Sequence, residues 1–166
     1  PAVVLRPSKD SMPSSSRVEF RLRLEDAVAL TFFLLTMGMR VFVKGFGSEP
    51  FSPADVLVII PAYQAALTLG AVLEGIRRVS PSLKVLVVDD GSRDGTDAVA
   101  RLGGAEVLIH PENRGKGAAL KTAFARALAW GVSGVVTLDA DGQHPPELLP
   151  RFLEVSARAD LVLGCR

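Results

Sequence analysis

The stretch VVTLDADGQHPP, residues 135–146, ends an apolar run in two carboxylates, Asp139 and Asp141, separated by one alanine. Side chains alternate along an extended chain, so both carboxylates leave the same face at the strand's carboxyl end. Two anions that close repel each other, and a positive partner is expected beside them, either a metal ion or a cationic side chain. A purely structural pair is the bland alternative, and the same-face geometry argues against it.

Two further polar clusters follow apolar runs, Pro61-Ala62-Tyr63-Gln64 and Asp89-Asp90-Gly91-Ser92. Tyr63 reads either as a ligand contact or as an aromatic at the core edge. Asp89 and Asp90 point to opposite faces if the strand continues, so one is expected to reach a ligand while the other braces a loop. Asp94-Gly95-Thr96 reads as a turn that caps a helix. Asn113-Arg114-Gly115-Lys116-Gly117 opens a helix, where backbone amides and two cations can approach an anion; a solvated glycine turn is the alternative. This stretch lacks the early glycine and the Ser or Thr of a P-loop, and Leu120 stands where a dinucleotide fingerprint needs its third glycine. Asp90, Ser92 and Asp94 mimic the start of a calcium loop, but Arg101 occupies the position of the closing glutamate. His110 reads as structural. His144 adjoins the carboxylate pair.

The elements that must position these clusters are regular from Asp55 onward. Val56–Ile60, Val85–Val88, Val107–Ile109, Val135–Leu138 and Leu161–Leu163 are short, valine-rich apolar runs of the kind buried on both faces of a sheet. Between them Leu69, Val72, Leu73 and Ile76 recur at helical spacing. So do Ala119, Leu120, Ala123, Phe124, Ala127 and Leu128, with Gly131 placed to end that helix. Strand alternating with helix predicts an α/β fold, a mostly parallel sheet with helices on both faces. Such sheets bind ligands beyond the carboxyl ends of their strands, where the polar clusters fall.

The chain of 166 residues is 48% hydrophobic and 22% charged, enough for one globular domain with a core. A net charge of +1 gives no basic field for nucleic acid, and no nucleic-acid partner is expected. Cys165 is the single cysteine, so no internal disulfide forms. Residues 1–26, with their prolines and serine cluster, read as a flexible arm. Residues 27–43 read as an apolar helix, membrane-interfacial or packed on the domain, and too short to cross a bilayer, which takes about 20 apolar residues. Residues 44–54 read as a linker, and 55–166 as the ligand-binding domain.

VIIPAYQ, VVDDGSRDGT, NRGKGAA and TLDADGQHPP, in this order and spacing, resemble the family 2 glycosyltransferases, and within them the branch of polyprenyl- or dolichol-phosphate sugar synthases. The resemblance covers about Val56 to Arg166. It implies a GT-A (Rossmann-like) fold, a nucleotide-sugar donor, and an inverting transfer assisted by Mg2+ or Mn2+, with a polyprenyl phosphate or another glycan or lipid as acceptor. It further implies that Pro61, Tyr63 and Asp90 line the nucleoside pocket. By the same resemblance Asp139, Asp141 and Gln143 would hold the metal, Ala140 would lie against the donor by its backbone, and Asp141 would be the catalytic carboxylate. Gln64 and Ala65 replace the Asn-Glu pair usual in that branch, so a carboxylate that helps to read the base is missing. Family members continue into an acceptor half, and this chain is expected to hold the donor half only. A membrane surface is an expected partner, on its cytoplasmic side, where nucleotide sugars are found. A catalytically silent nucleotide-diphosphate binding module and a membrane-tethering fragment are the competing readings.

Overall fold

The computed structural model describes residues 2–5, 40–44, 52–157 and 161–164. Seven strands form one sheet: β1 (Ala2–Leu5), β2 (Arg40–Lys44), β3 (Val56–Ala62), β4 (Lys84–Asp89), β5 (Glu106–Ile109), β6 (Gly134–Thr137) and β7 (Leu161–Gly164). Among the described residues four α-helices accompany them: α1 (Ala66–Val79), α2 (Thr96–Leu102), α3 (Lys116–Trp130) and α4 (Leu149–Ser156). The strand order is β1-β7-β2-β6-β3-β4-β5.

The block β6-β3-β4-β5 is parallel throughout, and Val58 of β3 lies between Val136 of β6 and Val85 of β4. Alternation along β3 explains why this strand is apolar at every position from Val56 to Ile60. Val56, Val58 and Ile60 face one core with Leu69, Val72, Leu73 and Ile76 of α1, Ala100 of α2, and Leu149 and Phe152 of α4. Leu57 and Ile59 face a second core with Ala119, Leu120, Ala123, Phe124 and Ala127 of α3. A strand buried on both faces cannot alternate polar and apolar residues, which is the valine-rich pattern of the sequence. Helices cover both faces, as expected for an α/β GT-A-like fold. Gly131 ends α3 at φ 64°, in the left-handed region that glycine adopts without a Cβ penalty. Leu128, placed on the apolar face by its spacing, is instead 42% exposed, one position beyond the buried Ala127.

The far side of the sheet departs from the expectation. β7 runs in the same direction as the parallel block but is not joined to it directly. The antiparallel β2 lies between β6 and β7, and β1 pairs antiparallel with β7 at the edge. The flexible arm expected over 1–26 is therefore corrected at 2–5, and the helix expected over 27–43 at 40–43, where the chain is strand. The physical reason at β2 is local: Val41 and Val43 are β-branched and flank Phe42, a sequence suited to a pleated strand. The remainder of the 27–43 segment lies outside the described residues. The linker expected over 44–54 ends in a 3-10 turn, Pro53–Asp55, that leads into β3. Among the described residues no helix is long and apolar enough to cross a membrane.

Candidate functional site

β3, β4 and β6 end at one edge of the sheet, and a cavity of about 440 Å3 opens there. Its wall includes Pro61, Tyr63, Asp90, Asp139, Ala140 and Asp141, so six residues singled out in the sequence come together. Gln64, Thr68, Asn113, Gly115 and Lys116 also line it. Gln143 is not part of the wall. Its backbone amide donates to Asp141 Oδ1 at 2.9 Å, closing the turn that follows the carboxylates.

Asp139 and Asp141 reach the cavity by a different route from strand alternation. β6 ends at Thr137, the amide of Leu138 still donates to the carbonyl of Ile59 at 3.0 Å, and the chain then turns at Ala140-Asp141. That turn is tied to α1, where the Thr68 hydroxyl donates to the Ala140 carbonyl at 2.6 Å. Gly75, further along α1, allows a close approach, because a Cβ there would stand 2.8 Å from Pro146 Cγ. The positive partner demanded by the carboxylate pair is Lys116, whose Nζ lies 2.7 Å from Asp139 Oδ1. Asp141 is exposed to solvent.

Asp90 does something the sequence did not disclose. Its carboxylate accepts from the amides of Arg114 (3.1 Å) and Gly115 (2.7 Å) and stands 2.6 Å from His110 Nδ1. The anion met by the amides of the Asn113–Gly117 turn is thus the chain's own Asp90. His110 Nε2 is in turn 2.9 Å from Thr122 Oγ1 of α3. Asp89, by contrast, closes its own turn by accepting from the Ser92 amide at 3.0 Å. Both carboxylates brace loops, although only Asp90 also lines the cavity.

Asp94 joins the turn before α1 to the turn before α2. Its carboxylate accepts from the Thr96 hydroxyl (2.6 Å) and amide (3.1 Å), and from the Ala66 amide at the start of α1 (3.0 Å). The Thr96 hydroxyl, followed by the Ala66 amide, holds the Asp94 carboxyl below its ordinary value of 3.8. Expected as a local turn residue, Asp94 links the starts of two helices. Ser92 and Thr96 receive the amides of Gln64 and Ala65 at 2.9 Å each, which fixes Gln64 at φ 51° beside Tyr63. Tyr63 is half exposed at the cavity mouth, while His144 is buried.

Two carboxylates, one of them exposed, suit a hard cation that takes its other oxygens from water and from a ligand. Among the described residues no group of three His, Cys, Asp or Glu side chains could hold a metal by itself. The donor set therefore fits Mg2+ or Mn2+ carried jointly with a polyanion such as a diphosphate, and does not fit an all-protein cage.

Known proteins resemble this chain. The family model described as glycosyl transferase family 2 matches residues 57–166. An undecaprenyl-phosphate mannosyltransferase of Micrococcus luteus is 43% identical over 67% of this chain and 48% of its own length. A polyprenol monophosphomannose synthase of Mycolicibacterium smegmatis is 39% identical over 74% of this chain and 50% of its own. The chain thus spans about half the length of these curated relatives. Among solved structures, glucosyl-3-phosphoglycerate synthase of Mycobacterium tuberculosis in complex with Mn2+, UDP and glucosyl-3-phosphoglycerate superposes with a TM-score of 0.50. It is 25% identical, over 63% of this chain and 40% of that one.

Proposed function

The chain belongs to glycosyl transferase family 2, and on that premise we propose that it is the donor-binding part of an enzyme transferring a sugar from a nucleotide-diphosphate sugar to a polyprenyl phosphate, with inversion and with Mg2+ or Mn2+. The observation that carries the reading is the placement of Asp139 and Asp141 in one cavity at the carboxyl ends of β3, β4 and β6. The names of the two curated relatives, both polyprenyl-phosphate sugar transferases, support the acceptor class. The Mn2+ and UDP bound by the solved relative support the donor and the metal.

In this reading Asp139 and Asp141 hold the cation, with Gln143 beside them on the turn and Asp141 the catalytic carboxylate. The bound metal supplies charge neutralisation for the departing diphosphate. Pro61 and Tyr63 form the apolar wall for the nucleoside. Asp90 contributes by fixing the Asn113–Gly115 backbone at the cavity edge, and the Ala140 backbone, held by Thr68, faces the donor. The acceptor oxygen of a polyprenyl phosphate is already ionised at neutral pH, so no strong general base is required of this chain.

A lipid acceptor places the cavity mouth near a membrane surface, on the side that holds the nucleotide sugars, the cytoplasmic one. Residues 27–39, uncharged throughout and with Arg21 and Arg23 before them, are the part of the sequence suited to that contact. Deleting residues 1–50 would not test such contact cleanly, because it would remove β1 and β2 from the sheet. Binding of a UDP-sugar and of a GDP-sugar, each measured with Mn2+ and again after EDTA, tests the donor reading. We expect saturable binding of one of them that EDTA abolishes. Binding of neither overturns the donor assignment, and binding indifferent to EDTA overturns the metal.

A further inference from the structure

The Lys116–Asp139 contact is not explained by folding alone. Lys116 is the first residue of α3, where unpaired backbone amides carry partial positive charge and a cation is disfavoured; the first turn holds no acidic residue to offset it. Its ammonium instead reaches a carboxylate on the neighbouring turn, 23 positions away in sequence. The pair lines the cavity, with the lysine side chain 33% and the aspartate 18% exposed. A pair so placed is partly screened by water and can open. A divalent ion on the same carboxylate would stand close to that ammonium and be repelled by it.

We propose that Lys116 is the built-in counter-ion of Asp139, displaced jointly by a divalent cation and a diphosphate: the cation takes the carboxylate, and the released ammonium turns to the phosphate oxygens. The proposal rests on the reading of Asp139 as a metal ligand. Its consequence is a coupling built into the site. Metal alone meets the repulsion of an ammonium that has no other anion to turn to, so it binds weakly. Metal with diphosphate exchanges one set of charge contacts for another, and by linkage each ligand raises the affinity for the other equally.

The test is calorimetric titration of the full chain with Mn2+ alone, with inorganic pyrophosphate alone, and with each in the presence of the other. Wild type is compared with Lys116→Met and Lys116→Arg, and thermal melting checks that each is folded. Pyrophosphate carries no base or sugar, so the readout is confined to the charge contacts. We expect Lys116→Met to bind Mn2+ alone about two- to fivefold more tightly than wild type, the range of a partly exposed ion pair. The same variant should lose most of the coupling between Mn2+ and pyrophosphate. Lys116→Arg, whose planar fork grips a carboxylate in two places, should bind Mn2+ alone more weakly than wild type and keeps the proposal testable if the methionine variant does not fold. Unchanged or weaker Mn2+ binding by folded Lys116→Met, or tighter binding by Lys116→Arg, would overturn the counter-ion role while leaving the metal site standing. If wild type takes up no Mn2+ even with pyrophosphate, the metal reading of Asp139 fails, and this proposal with it.

Discussion

Asp90 Oδ1 and His110 Nδ1 meet at 2.6 Å with the two side chains 4% and 7% exposed, and the same carboxylate carries the amides of Arg114 and Gly115. A histidine just behind the cavity wall thereby holds a loop that forms part of it. Removing the imidazole leaves a buried carboxylate short of one partner, a loss worth about 1–3 kcal/mol. His110→Ala should lower stability by that amount in urea unfolding, and it should speed hydrogen exchange at Arg114 and Gly115 more than at residues of β3. Unchanged exchange at those two amides would mean that the loop is held without His110.

Gly91 and Gly95 both have positive φ, yet they should respond differently to the same substitution. A Cβ on Gly91, at φ +76°, would lie 2.4 Å from the Glu112 carbonyl carbon, where backbone meets backbone and neither side can give. A Cβ on Gly95, at φ +87°, meets nothing within 4 Å. Gly95→Ala should cost about 1–2 kcal/mol, the left-handed backbone penalty alone. Gly91→Ala should cost at least about 3 kcal/mol and loosen the Asp90 contacts, because strain and overpacking add. Equal losses from the two variants in denaturant unfolding would contradict the close approach of the two loops.

Asp94 gives the fold an acid sensitivity of known sign. Its carboxyl titrates below 3.8 in the folded chain, held there chiefly by the Thr96 hydroxyl and then by the Ala66 amide. A depressed folded value means that the contribution is fully present above the unfolded value and is lost as pH falls through the folded one. Asp94→Asn should therefore lower the urea midpoint relative to wild type at pH 6, with the gap narrowing at pH 3 and below. A gap that widens on acidification would contradict the assignment.

The parallel block was legible because its strands are buried on both faces, which leaves runs such as Val56–Ile60 and Val135–Leu138 with no polar interruption. β2 was not, because its five residues sit at the end of a longer apolar stretch whose length suggests a helix, and its partners β6 and β7 lie far along the chain. The carboxylate pair announced that it needed a cation, and Lys116 was visible as a cation near a helix start. That the two are partners is a matter of how the β5–α3 turn folds against the β6 end, which no local spacing records. Asp90 was legible as a cavity residue and misleading as to its occupation, since the donors it meets are backbone amides and a histidine that had been set aside as structural.

The donor site itself is tested most directly by titrating wild type and Asp141→Ala with UDP and with GDP in Mn2+. Asp141 is exposed at the cavity and is the carboxylate not engaged by Lys116. Its removal takes an anionic oxygen from the cation while leaving the packed core untouched. We expect wild type to bind one of the two nucleotides in an Mn2+-dependent manner and Asp141→Ala to lose that dependence, with affinity falling by at least about a hundredfold, equivalent to roughly 3 kcal/mol. Wild-type affinity retained by a folded Asp141→Ala, with the same response to Mn2+, would show that the pair does not anchor a metal and would contradict the central claim.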